Sequence, residues 1–247
     1  MTFNQKLITL VLIHVVLFLN AVVFNFSWWM LLSAYLLGKL FNMLGHEIGL
    51  HRLWSHASFK TSTLKENILY LFAIPILFGS PIVYSAVHRD HHRNADTDKD
   101  PHLESMWAKL FYKRRSNYLF KVKLILDLLK DPKHKFIHDN YLLINSILLI
   151  VMIISFGPIY TGWTLSAIVV YMWIGGLLIN SLGHQPENGY RNFETNDKSS
   201  NNKFLQYTFP GIGLHNNHHA HQKEYDLAMK PGEFDLTGWV IKRFFKL

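Results

Sequence analysis

Four stretches of the chain are almost purely apolar: 7–24, 28–44, 140–156 and 159–182. Lys39 is the only charged residue in them. Each is near the roughly 17–25 residues that cross a bilayer as a helix, so the pattern predicts four spanning helices. The links inside each pair are short. Asn25 to Ser27 joins the first two, and Gly157-Pro158, a strong helix breaker, joins the last two. The expected arrangement is two helical hairpins. A further apolar run, 68–87, is interrupted by Pro75, Gly79 and Pro81. It is expected to lie in the interface or to pack beneath the spans.

Charge gives the pattern a direction. The chain carries 25 Lys and Arg against 17 Asp and Glu, a net charge of +8, and only 17% of residues are charged. Outside the spans, 15 basic residues fall in 45–139 and 8 in 183–247, and the hairpin tips have none. Basic residues flanking spans stay cytoplasmic. Both termini and both polar regions are therefore expected in the cytoplasm, at a bacterial inner membrane or the endoplasmic reticulum. The N-terminal run has one lysine before it and a second apolar run directly after it, so it reads as a retained span rather than a signal peptide. The expected fold is an all-α integral membrane bundle of four transmembrane helices with a cytoplasmic helical cap. It forms one domain over 1–247. The positive charge has no nucleic-acid motif beside it, and no nucleic-acid partner is expected.

The chemistry lies in histidine. There are 15 histidines and no cysteines, which excludes thiolate ligation and disulfides. Four clusters stand at the cytoplasmic ends of the spans. They are His46 with His51 and His56, then His88-Arg-Asp-His91-His92, then Asn180 with His184, and His215-Asn-Asn-His218-His219. On a helix, positions i, i+3 and i+4 share a face. His88, His91 and His92 should therefore point together, as should His215, His218 and His219, and Asn180 with His184. His51 and His56 are about 140° apart on an α-helix, so they are expected to serve two nearby metals or to act across a helix end. His46 should point elsewhere. His14, His134 and His138 read as hydrogen-bonded packing residues, His46 and Glu47 as structural, and His102 as supporting or structural. Nine converging imidazoles, at 51, 56, 88, 91, 92, 184, 215, 218 and 219, exceed one metal's needs and suggest two. Imidazole suits iron, and a redox-capable metal beside a membrane implies a lipid-soluble substrate.

These motifs resemble the membrane fatty acid desaturases, particularly the stearoyl-CoA (delta-9) branch and its bacterial relatives. The likeness is carried by His51-Arg-Leu-Trp-Ser-His56, His88-Arg-Asp-His91-His92, Asp100-Pro-His102, Asn180 with His184, His215-Asn-Asn-His218-His219, and Glu233-Phe-Asp-x-Thr-x-Trp239. The resemblance implies a cytoplasmic di-iron site with those nine histidines as catalytic metal ligands and Asn180 acting through a bound water. It implies an O2-dependent oxidoreductase that places a cis double bond, expected at delta-9, in a fatty acyl chain on CoA or a lipid. The chain lacks a His-Pro-Gly-Gly haem segment, so the expected electron donor is a separate cytochrome b5 or ferredoxin type protein. Segment 103–118 and His46 depart from the family pattern and bear on head group and regiochemistry. Tyr35, about 24 Å along the helix from His51, is a candidate floor of a substrate tunnel. A membrane di-iron hydroxylase is the alternative reading, and a non-enzymatic metal-binding membrane protein a more distant one.

Overall fold

A computed structural model describes residues 3–102 and 121–247. The departure noted at 103–118 lies outside the described residues. Among these the chain is helical, with two isolated β-bridges, Tyr190–Asn201 and Asn201–Leu214, and no strands. The main helices are α1 (Phe3–Phe24), α2 (Trp28–Phe41), α3 (Thr63–Ala73), α4 (Pro81–Asn94), α5 (Pro132–Thr161), α6 (Ala167–Leu182), α7 (Lys203–Thr208), α8 (His215–Ala220) and α9 (Leu236–Val240). The caps follow side-chain chemistry. Ser62, Ser80, Asp131 and Asn202 each accept a backbone N–H from the first turn of the helix they open, and Pro81 and Pro132 sit at helix starts.

Two stretches are long and apolar enough to cross a membrane, Phe3–Phe24 and Pro132–Leu182. In the second, only 11% of the most apolar window is buried within the protein. A core helix of a soluble protein would be mostly buried. Here Leu143, Ile147, Ile150, Val151 and Ile154 face outward, as do Leu12, Ile13, Val16 and Leu19 on α1 and Trp28, Trp29 and Leu36 on α2. Together they form an apolar sleeve, which marks a membrane-facing surface.

The Pro132–Leu182 stretch bends back at Gly157, whose φ of 77° and ψ of 166° leave the helical region. A Cβ there would touch nothing, so the glycine serves backbone conformation rather than space. The two arms then reach the same place. Tyr141 of α5 receives the Gly79 N–H, and Trp173 of α6 packs on the neighbouring Phe78. The Gly-Pro break expected from sequence is therefore a reversal of direction. Beyond it a short π-helical turn, Gly162–Ser166, leads into α6. α1 meets this turn closely, since a Cβ on Gly162 would lie 2.5 Å from the Leu17 carbonyl oxygen.

The 68–87 run packs rather than spans. Leu69, Ile76, Leu77 and Ile82 are buried in one core with Leu7, Ile48, Leu50 and Trp54, beneath the histidines. The three packing histidines behave as expected: His14 pairs with Ser166, His134 with Tyr70 and His138 with Ser80, each at 3.0 Å. The His134 ring also neighbours Glu66 and Asp131, where Lys133 supplies a positive charge to Glu66.

Candidate metal centre

α2 does not stop at its last apolar residue. It continues into a π-helix, Asn42–Ser55, which carries the first histidine cluster. His56 is the residue just past its end, which fits the expectation that His51 and His56 act across a helix end and not the one that they serve two metals. A π turn closes over five residues, so i and i+5 come onto one side. The His56 N–H donates to the His51 carbonyl at 3.1 Å, and the two rings lie 4.9 Å apart. His46, five residues earlier, also faces this side and stacks at 6.1 Å from His51. His51 and His56 therefore stand in one group rather than two.

All nine singled-out histidines come together, in two adjacent groups. One holds His51, His56, His88, His92 and His218, the other His91, His184, His215 and His219. Within each group the donor atoms lie within 4.8 Å of one another. Each His-x-x-His-His box divides between the groups in a regular way. On α4 the i, i+4 pair His88 and His92 joins the first group and His91 the second. On α8 the pair His215 and His219 joins the second group and His218 the first. The shared helix face thus becomes the seam between two sites, and His92 and His219 meet across it at 4.4 Å.

Four buried or half-buried carboxylates set the rings. The His51 Nδ1–H donates to Glu47 at 3.0 Å, His91 to Asp100 at 3.0 Å, His184 to Asp96 at 2.9 Å and His219 to Asp197 at 2.7 Å. Each such bond fixes the tautomer with the lone pair on Nε2. Glu47 also lies 3.0 Å from His46 Nδ1, and His46 reaches the Tyr84 hydroxyl at 2.8 Å. Sequence reasoning missed Asp96 and Asp197 and set Glu47 aside as structural. It named His102 where Asp100, two residues before, makes the contact. The i, i+4 spacing of Glu47 and His51 was the one available signal, and Asp197 has none. His102 sits 5.0 Å from the His91 ring, outside both groups.

The nitrogen pattern fits a cation in each group. His218 Nε2 lies 2.9 Å from His51 Nε2 and 2.8 Å from His92 Nε2. His88 Nε2 lies 3.0 Å from His92 Nε2 and 2.7 Å from His56 Nε2. His184 and His215 face each other through Nε2 at 2.9 Å. A neutral imidazole has one N–H, and that of His51 and His184 is already given to a carboxylate, so these contacts cannot all be hydrogen bonds. His219 Nε2 is buried with no partner. Burial, reinforced by the neighbouring rings, holds His56, His88, His92, His215 and His218 well below the ordinary histidine value, so they are neutral donors. Burial brings His219 to about 4 against the opposing pull of Asp197. Burial raises the Asp100 carboxyl, but its contact with His91 wins and holds it at about 2.

The rest of the site is tied down by the C-terminal segment. Arg52, fully buried, pairs with Asp235 at 2.7 Å and donates to the Gly211 carbonyl. Asn217 donates to Glu233 at 2.8 Å and to the Leu227 carbonyl. The acidic residues of the 233–239 motif thereby tie the first and fourth histidine clusters to the C-terminal segment.

An apolar cavity of about 350 Å³ runs from the histidines between α1 and α6. Asn180 lines it and also lines a polar cavity on the far side of the second group, beside His91, Asp96 and His184. Tyr35 is not brought in. It lies outside the cavity wall, partly exposed, edge-on to Tyr171 at 5.9 Å and under the Lys39 ammonium.

Residues 26–224 match the sequence model of the family described as fatty acid desaturase. The chain belongs to the fatty acid desaturase family. It is 31% identical over 224 residues to a sn-1 stearoyl-lipid 9-desaturase of Anabaena variabilis, covering 88% of this chain and 81% of that protein. It is 30% identical over 235 residues to an acyl-CoA 5-desaturase of Anemone leveillei, covering 89% and 70%. A second sn-1 stearoyl-lipid 9-desaturase, from Synechocystis, is 28% identical over 245 residues, covering 95% and 74%. The protein is accordingly an oxidoreductase of lipid metabolism, a membrane fatty acyl desaturase.

Proposed function

We propose that this desaturase holds two iron ions, one in each histidine group, and introduces a cis double bond at delta-9 of a saturated acyl chain. His51, His56, His88, His92 and His218 bind one ion. His91, His184, His215 and His219 bind the other, with Asn180 acting through a water. The observation that carries the reading is the convergence of nine imidazoles in two adjacent groups beside the inner end of an apolar cavity. When bound, the irons couple the reduction of O2 to the removal of two hydrogens from adjacent methylenes. The protein's own part is positional. Glu47, Asp96, Asp100 and Asp197 hold four rings in the donating tautomer. Val11, Met172 and Phe78 exclude water and guide a methylene pair to the site. Delta-9 selectivity is the reading favoured by the names of the two 9-desaturase relatives.

The two hairpins cross the membrane four times, with the histidine face, both termini and the two basic regions cytoplasmic. The distribution of Lys and Arg and the reversal at Gly157 support this topology. A separate cytochrome b5 or ferredoxin type donor delivers electrons from the cytoplasmic side. Expression in a desaturase-deficient host, followed by gas chromatography–mass spectrometry of its fatty acids, tests the reaction. A cis-9 monoene is expected, together with about two irons per purified chain. A hydroxylated product in place of the alkene would overturn desaturation.

A further inference from the structure

We infer that the acyl cavity opens sideways into the bilayer, between α1 and α6, and that its occupant is an acyl chain still attached to a membrane lipid. The inference rests on the desaturase reading and specifies the acyl carrier. At the tip end α1 meets the π-helical turn that leads into α6. Phe18 packs edge-on to Trp163 at 5.8 Å, and lower down His14 bonds Ser166. Below that level Ile8, Val11, Leu12 and Val15 of α1 and residues 170 and 172–177 of α6 line the cavity. Two of the wall residues, Leu12 and Ile174, are 56% and 49% exposed, one on each helix. Others, Val11 and Met172, are 5% and 1% exposed. The cavity therefore runs from the outer surface to the histidines.

The surface at its mouth is the apolar sleeve, where Ile13 and Val16 face outward beside Leu12. Hydrocarbon, not water, covers such a surface. A lipid tail reaches the mouth without leaving the bilayer, while its head group stays at the interface. Among the described residues no Lys or Arg lines this cavity, and Glu47, its one carboxylate, is held by His51, so the cavity itself suits hydrocarbon.

The test uses the full-length, iron-loaded protein in phosphatidylcholine vesicles. One probe is phosphatidylcholine with a diazirine midway along a stearoyl chain, and the other is the same acyl group as its CoA thioester. After photolysis, mass spectrometry maps the adducts. The lipid probe should label buried Val11 and Met172, which lipid merely surrounding the protein cannot reach. The double substitution Leu12→Trp with Ile174→Trp should remove those adducts and the conversion of lipid-borne stearoyl chains, with iron content retained. Both sites are half exposed, so the larger rings have room outward. Ile13→Trp, exposed but outside the wall, should change neither. Should the double variant lose its iron, Leu12→Trp alone provides the same readout. Buried adducts that persist in the closed variant, or that form only with the thioester, overturn the inference. Unsaturated product from the thioester alone would sink the carrier assignment and leave the desaturase reading standing. No unsaturated product from either carrier would instead count against the desaturase reading.

Discussion

Asp197→Asn isolates one carboxylate from its imidazole and should loosen one metal of the pair. Asp197 accepts the His219 Nδ1–H at 2.7 Å, the shortest of the four carboxylate contacts, while His219 Nε2 has no other partner. Its other oxygen caps a local turn by accepting from Thr195 and from the Ser199 N–H. An asparagine keeps the size and one acceptor, so the turn survives and the charge is lost. Removing such a partner of a metal-binding histidine costs about 10–100-fold in metal affinity. With that acceptor kept by the turn, the amide NH2 faces the His219 Nδ1–H, so a loss of at least about 10-fold, or about 1.4 kcal/mol, is expected. The effect should be confined to the second group, because His219 is not part of the first. Competition against graded chelator, with iron read by inductively coupled plasma mass spectrometry, should show one iron lost early and one retained. Asp127→Asn is the control, since Asp127 pairs with Arg89 at the surface. Simultaneous loss of both irons, or unchanged retention of both, would refute the division into two groups with separate supports.

Replacing any of the nine histidines by alanine should abolish desaturation in a complementation assay, whereas His138→Ala, at a Ser80 contact outside both groups, should leave most of it. Asp235→Asn should lower stability, by less than the about 3–5 kcal/mol of a wholly unpaired buried charge, seen as a reduced melting temperature in detergent, because it removes the closer of the two carboxylates facing the buried Arg52 guanidinium and leaves Glu47 at 3.7 Å. Gly157→Ala should cost about 1–3 kcal/mol and reduce folded yield, because its backbone conformation is nearly confined to glycine. Metal-free protein should lose stability as pH falls below about 6.5, the unfolded histidine value: buried rings such as His219, held at about 4, resist protons that the unfolded chain accepts. Calorimetry across that range checks the sign, and a melting temperature that rises on acidification would contradict it.

Much of this protein was legible along the chain. Apolar runs and the placement of Lys and Arg are one-dimensional properties, so the helical class and the membrane character could be read from periodicity and composition alone. The Gly157-Pro158 break was legible for the same reason, since it is a local backbone preference. The histidine boxes were legible because helix spacing is local, and the structure does bring all nine rings together. What one dimension could not reach was which ring joins which group. The two-metal reading of His51 and His56 failed because their angle was taken from an α-helix, whereas a π-helix ends between them and sets both in one group. The split of each box between two groups depends on α4 and α8 facing each other, which is tertiary. Asp96 and Asp197 come from segments far apart in sequence and become partners of His184 and His219 only when the loops close over them. Tyr35 stood at a plausible distance along its helix, but the rotation of α2 turns it toward Tyr171 and away from the cavity. Local patterns set the elements and their chemistry. Their mutual rotation, chosen by packing, decided the two histidine groups, their carboxylate supports and the walls of the cavity.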